Sequence, residues 1–464
     1  MVKSNSKHEV DMCNGPLLKK IIVFSVPVML SGVLQLLYNA ADIVVVGRYA
    51  GSVALAAVGS TSSLINLIVN VFMGLSIGAS VVVSQYYGAG KKKDVSETVH
   101  TSIAVSVISG IVVGIFGVIM AKQLLRAMGT PNDVLNHASL YMRIYFAGMP
   151  ATMVYNFGSA ILRAVGDTKR PLYFLTISGI INVVLNLVFV IVFHMGVAGV
   201  ALATVIAQCV SVVLVIICLV RFDGSIKLHI KKIRIYKSKL VEIIKIGLPA
   251  GIQGSIFAIS NVLIQSAVNS FGSVVMAGNA AAANIEGFVY TSMNALYQTA
   301  LTFTGQNVGA KKYDRIGKVF KICAIFVIIV GGGLGSVAFL FSKDLLRIYS
   351  STPKVIEMGA VRMSIICTSY FLCGFMDVLV GELRGMGRSI LPMIVSIVGV
   401  CGFRIFWIYT VFAQTRSLRT LYISYPISWI VTSFIHLICY IVVRRKLVNS
   451  LSSCNINKLE RELQ

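Results

Sequence analysis

Twelve apolar runs, each about twenty residues and so long enough to cross about 30 Å of hydrocarbon as a helix, recur between Ile21 and Val443. No other feature restricts the fold so severely. Inside lipid every backbone N–H and C=O must be paired within the protein, which leaves only helices and closed barrels. Runs such as 103–120 are apolar on every face and lack the period-2 alternation of a barrel strand, so the spans read as helices. Only 12% of the residues are charged, against about 25% in a soluble domain. The expected fold is therefore an all-α polytopic membrane protein. Its spans fall near 21–46, 54–85, 99–121, 138–160, 172–193, 197–220, 243–268, 274–305, 319–341, 356–382, 390–412 and 420–442.

The net charge of +24 suggests nucleic-acid binding until its placement is considered. With the N-terminus in the cytoplasm, 30 of the 41 Lys and Arg lie in cytoplasmic segments or, as Lys245 and Lys321 do, at the cytoplasmic ends of spans, eight lie in outer loops, and three (Arg143, Arg362, Arg404) lie deeper within spans. That is a positive-inside bias, so the charge sets topology and nucleic acid is not an expected partner. Both termini are expected in the cytoplasm of a cell-membrane protein. The nine cysteines are scattered, with no CxxC and no metal-ligand spacing. The first apolar run follows about twenty polar residues and lacks a small-residue cleavage site, so it reads as span 1 and not as a signal peptide.

A second constraint is duplication. Gln85-Tyr86-Tyr87-Gly88-Ala89-Gly90-Lys91 returns 221 residues later as Gln306-Asn307-Val308-Gly309-Ala310-Lys311-Lys312. At the same offset Gly51-Ser52-Val53 returns as Gly272-Ser273-Val274, and Leu162, Arg163, Gly166 and Pro171 return as Leu383, Arg384, Gly387 and Pro392. Val26-Pro27 returns as Leu248-Pro249 at an offset of 222. The expected organisation is an arm (1–20), an N-lobe (21–221), a basic cytoplasmic linker (222–239), a C-lobe (240–443) and a tail (444–464). Six spans per copy give both lobes the same orientation, a parallel repeat that places substrate in a cleft between lobes.

These motifs resemble the multidrug and toxic compound extrusion (MATE) family. Gln85-x-x-Gly88-Ala89-Gly90 and Gln306-x-x-Gly309-Ala310-Lys311 look like its loops after spans 2 and 8. Leu162-Arg163-Ala164-Val165-Gly166-Asp167-Thr168 and Leu383-Arg384-Gly385-Met386-Gly387 resemble those after spans 4 and 10, and Ala41-Asp42-Ile43-Val44-Val45-Val46-Gly47 resembles the end of span 1. The resemblance covers about residues 15–445. The Gly-x-x-x-Asp-x-x-Gly-Arg-Arg loop of the other common six-plus-six fold, the major facilitator, is missing. The lysines and glycines of the paired loops read as structural turns.

Ionisable side chains within spans are expensive, roughly 2.5–3.5 kcal/mol for Asp on insertion scales, and are functional candidates by default. Three carboxylates stand out: Asp42, Glu286 and Asp377. Asp42 and Asn186 lie at similar depth, with Asn182 one turn below, so these three are expected to form one polar cluster. The resemblance implies an N-lobe cation site at Asp42, with Asn186 where many relatives carry a second Asp. It also links Glu286 to substrate or proton handling in the drug-exporting branch, and Asp377 to the span 10 acid of Na⁺-coupled members. Arg143 and Arg362 are expected to snorkel outward, and Arg404 to pair with a carboxylate. Gln35, Asn39, Asn66, Asn70, Asn156, Gln253, Asn261 and Asn284, with Tyr290 and Met293, are candidate cavity-lining residues.

The function expected is secondary active efflux of an organic, cationic or amphipathic solute in exchange for H⁺ or Na⁺. No cofactor, no metal beyond a coupling Na⁺ at Asp42/Asn186, and a monomer in a lipid bilayer are expected. An exporter of a lipid-linked saccharide or specific metabolite in the same superfamily is the alternative. An enzyme is disfavoured, because six scattered His and unpaired Cys supply no nucleophile–base or metal constellation.

Overall fold

The structure, a computed structural model, describes residues 9–462. The principal helices are α1 (Leu17–Ala50), α2 (Ser52–Gly88), α3 (Lys92–Ala127), α4 (Asn132–Ala147 and Met149–Ala164), α5 (Lys169–Val192) and α6 (Gly196–Val220). The second set is α7 (Lys237–Asn269), α8 (Ser273–Gly309), α9 (Tyr313–Leu340), α10 (Pro353–Gly385), α11 (Ile390–Thr415) and α12 (Leu418–Glu462). Among the described residues no strand occurs.

Ten of these helices are long and apolar enough to cross a membrane, and the two that fall short do so for identifiable reasons. The α4 span is interrupted at Gly148, where Pro150 withholds the backbone donor that would continue the ladder. The α8 span runs 37 residues but carries Asn279, Asn284, Glu286, Asn294 and Gln298, which lower its hydropathy.

The repeat seen in sequence is a repeat of backbone geometry. Gly51 and Gly272 precede α2 and α8 at φ +89 and +91. After α2, Ala89 N–H bonds Gln85 O at 3.0 Å, and after α8, Ala310 N–H bonds Gln306 O at 2.9 Å. The left-handed residue of these turns is Gly90 (φ +70) in one copy and Lys311 (φ +56) in the other. Glycine adopts that conformation freely and lysine does not. Gly166 and Gly387 match likewise, at φ +99 and +78.

The described chain divides into two compact units. The first comprises residues 9–11 and Ile22–Ile259, the second Met12–Ile21 and onward from Ser260. By its contacts the first half of α7 packs with the first unit. The cause is a glycine seam inside the first unit. A Cβ on Gly74 of α2 would lie 2.2 Å from Gly251 N, and one on Gly78 would lie 2.3 Å from Ile243 O. The backbones of α2 and the first half of α7 are therefore in contact.

The segments that flank the spans have structure of their own. In the second unit, the short segment before α1 is bound: Met12 is fully buried, its carbonyl accepts from Asn307 Nδ2 at 3.2 Å, and Lys312 Nζ donates to Cys13 O at 2.9 Å. The 444–464 stretch expected as a tail continues α12 helically as far as Glu462.

Candidate ion-coupling and substrate sites

In the first unit, α1 is seated on α5 by one close fit. A Cβ on Gly179 would lie 1.9 Å from the Tyr38 ring, and Tyr38 OH reaches Thr176 O at 3.4 Å. Asp42 follows Tyr38 by one helical turn, and Asn182 and Asn186 follow Gly179 on the same face at i+3 and i+7. The seating therefore aims the carboxylate at both amides. Asn186 Nδ2 donates to Asp42 Oδ1 and, at 3.3 Å, to Asn182 Oδ1. Sequence reasoning missed a fourth member: Thr204 of α6, whose hydroxyl lies 3.4 Å from Asp42 Oδ2 and accepts from Asn182 Nδ2 at 3.3 Å.

Asp42 is 9% exposed and Asn186 is fully buried. Asn186 Oδ1 is buried without a hydrogen-bond partner among the described residues, which is costly unless something occupies it. The cluster holds one carboxylate and, among the described residues, no cationic partner side chain. Its oxygens (Asp42, Asn186 Oδ1, Thr204) are the hard ligands a Na⁺ takes, and the carboxylate alone suffices for a proton. Both helices loosen beside it, with π-helical turns at Val46–Ala50 and Val188–Val192. Such turns are frequent at functional sites.

The second unit is built differently. Glu286 on α8 and Arg362 on α10 form a bidentate ion pair at 2.9 and 2.7 Å. Arg362 Nη1 also donates to Asn279 Oδ1 at 2.7 Å, Tyr422 OH reaches the same oxygen at 3.2 Å, and Asn279 Nδ2 continues to Gln265 Oε1 at 2.9 Å. Glu286 is thus not a free acid. Arg362 does not snorkel either: it is 8% exposed and turned inward, because a carboxylate one helix away satisfies its guanidinium better than the interface does. Asn279 and Tyr422 were not among the sequence candidates.

Arg404 also departs from expectation. Its Nε donates to Ser428 Oγ at 3.0 Å, and its guanidinium lies 4.0 Å from the Tyr425 ring centroid and 5.6 Å from that of Trp429. Among the described residues no carboxylate is within ion-pair distance of it. Aromatic faces take the carboxylate's place. Arg143 is exposed.

Asp377 of α10 lies beside the Tyr290 hydroxyl, and its Oδ2 is buried without a hydrogen-bond partner among the described residues. The amide candidates scatter. Gln35, Asn39, Asn66, Asn261 and Asn284 are exposed, Asn70 and Asn156 half-buried, and Gln253 buried. Asn156 is spent on its own helix, bonding Thr152 O at 2.8 Å. Met293 is fully buried, and its Sδ would stand 2.5 Å from a Cβ on Gly331 and 2.7 Å from one on Gly374.

Comparison with known proteins follows this geometry closely. The MatE family model matches residues 27–188 and again residues 249–410. The chain belongs to the MATE family. Two matches of equal length are the repeat itself. A MATE protein is a membrane transporter and not an enzyme. The chain is 27% identical over 425 residues to the probable multidrug resistance protein YoeA of Bacillus subtilis, covering 89% of this chain and 91% of that one. It is 21% identical over 375 residues to the multidrug export protein MepA of Staphylococcus saprophyticus, covering 80% and 82%. A solved MATE transporter in an outward-facing conformation superposes with a TM-score of 0.90 at 21% identity, covering 96% of this chain and all of that one. A Pyrococcus furiosus transporter, described as having a binding pocket of reverse polarity that suggests a different function, gives the same TM-score, covering 96% and 99%.

Proposed function

We propose that this MATE protein exports organic, cationic or amphipathic compounds in exchange for H⁺ or Na⁺, acting as a monomer in the cell membrane with both termini in the cytoplasm. The observation that carries the reading is the Asp42 cluster. It is a buried carboxylate fixed by Asn186, Asn182 and Thr204, with an orphaned amide oxygen beside it and no cation among its partners. Such a site gains free energy from one small cation and from little else. Asp42 is the coupling residue, and Asn182, Asn186 and Thr204 position it.

In the second unit Asp377, beside Tyr290, is the acid left for a cationic substrate. Glu286 is already neutralised by Arg362 and acts through that pair. Relatives named as multidrug resistance and export proteins support the substrate class. Transport of ethidium into inverted vesicles tests the proposal: it should require an imposed pH or Na⁺ gradient, and ethidium uptake that ignores both gradients contradicts it.

One observation favours a second reading, export of a specific metabolite that carries an anionic group. Arg404 offers a buried guanidinium without a carboxylate partner, against Tyr425 and Trp429. Anionic dyes competing with ethidium, with the competition lost in Arg404→Gln, distinguish the two.

A further inference from the structure

Glu382 belongs to none of these sites. It is fully buried in α10, three residues before the helix ends at Gly385. A Cβ on Gly381 would lie 2.7 Å from Tyr297 O, and one on Gly385 would lie 2.7 Å from Leu301 O and 2.8 Å from Thr304 Cβ. Two glycines four residues apart bring the backbones of α10 and α8 together and hold Glu382 against α8. Thr304 Oγ1 donates to Glu382 Oε2 at 2.7 Å. Among the described residues Glu382 Oε1 has no hydrogen-bond partner, nor has the Tyr440 hydroxyl or Arg444 Nε on α12, and all three atoms are buried.

The Tyr440 ring packs in one apolar cluster with Ile316, Leu379, Leu383 and Met386, the last three flanking Glu382 along α10 and its C-cap. The polar and titratable groups acting on the carboxyl are Thr304 from α8, Cys323 from α9, and Tyr440 and Arg444 from α12. Asp377 and Arg384 lie along its own helix, the latter facing His436 of α12 and Tyr297 of α8.

The repeat supplies an internal control. The offset of 221 pairs Glu382 with Ile161, Thr304 with Val83, and Phe320 with Val99. Ile161, Val83 and Val99 are all fully buried and belong to one apolar cluster in the first unit. The first unit therefore fills these three positions with hydrocarbon and needs no acid there. In the second unit two of them hold a carboxyl and a hydroxyl, at a cost of several kcal/mol if the carboxyl is charged and unpaired.

We infer that Glu382, with Thr304, is a proton-binding site of the second unit, through which protons pass at its lysine- and arginine-rich end during export. The inference rests on the ion-driven export proposed above and adds a third carboxyl to it. A proton is served by the groups present: the neutral acid keeps Thr304's hydrogen bond on one oxygen and carries its own donor on the other. A metal cation is not, because the Arg444 guanidinium acts on the same carboxyl and repels it.

Infrared pH-difference spectra of the whole protein in lipid test the site directly. The wild type should show a titrating carboxyl band that Glu382→Gln lacks, while the glutamine amide still accepts from Thr304. The double variant Glu382→Ile/Thr304→Val copies the first unit's packing and guards against a folding artefact. It should unfold at the wild-type temperature or above, lose at least ten-fold of pH-driven ethidium transport, and keep gradient-free ethidium exchange. The same titrating band in wild type and Glu382→Gln, or wild-type pH-driven transport by the double variant, overturns the inference. Failure of the export reading looks different: the wild type would move no ethidium under any gradient, while the spectra would still report whether Glu382 titrates.

Discussion

Glu286 and Arg362 are a two-pronged ion pair inside the second unit, Oε1 accepting from Nε at 2.9 Å and Oε2 from Nη2 at 2.7 Å. Both residues are buried, and Asn279 and Tyr422 complete the network. A carboxylate so held is not available to a passing cation unless Arg362 lets go. The pair therefore ties α8 to α10 in its closed state and presents a guanidinium or a carboxylate only when it opens.

The energetics of the pair follow. Breaking a buried pair by removing one partner costs about 3–5 kcal/mol, whereas replacing both by apolar residues of similar volume is often neutral. Arg362→Met and Glu286→Leu should each lower unfolding stability by about 3 kcal/mol, and the double variant should recover most of that loss. Thermal unfolding of the four proteins in detergent measures it. Additive losses would mean that the two side chains do not act as a pair.

The seat of Asp42 can be tested without touching Asp42. Gly179→Ala places a methyl where the Tyr38 ring now lies, so it should push α1 off α5 and pull the carboxylate from Asn186. Ethidium export should fall at least ten-fold, and a second change, Tyr38→Ala, should restore part of it by vacating the space. The check is export by the single and double variants at matched expression. An unimpaired Gly179→Ala protein would show that the α1–α5 contact does not govern the site.

The paired turns make a prediction about stability alone. Lys311 holds φ +56 where its repeat mate is Gly90 at φ +70. A left-handed conformation costs a side-chain-bearing residue roughly 1–2 kcal/mol. Lys311→Gly should therefore stabilise the protein by about 1 kcal/mol, and Gly90→Ala should destabilise it by a similar amount, with ethidium export unchanged by the former. Unfolding midpoints of the two variants check the sign.

Much of the fold was legible because membrane insertion and duplication both write themselves linearly. Twelve runs, a charge bias and an offset of 221 or 222 residues suffice to give two six-span copies. Depth along a helix is also linear, which is why Asp42, Asn182 and Asn186 could be grouped from counting alone. Helix-to-helix facing is not linear. Glu286 and Arg362 are 76 residues apart, and nothing local says that α8 and α10 turn those faces together. Thr204 was missed because a threonine in an apolar helix reads as packing. Glu382 was missed because it stands at the expected edge of its span, where a carboxylate draws no notice. The glycines at 381 and 385 were the available signal, marking a backbone contact that buries whatever lies between them. The division at Ile259 had a similar signal, in Gly74 and Gly78 against Gly247 and Gly251.

Asp42 is the residue proposed to bind the coupling ion. The most direct measurement is ethidium transport in proteoliposomes under separately imposed pH and Na⁺ gradients, for the wild type and Asp42→Asn. The amide keeps the shape and the neighbours but holds no charge and carries no titratable proton. The wild type should accumulate ethidium against its gradient under at least one of the two driving ions. Asp42→Asn should accumulate none while still exchanging ethidium when no gradient is applied. Gradient-driven accumulation by Asp42→Asn at the wild-type rate would contradict the central claim.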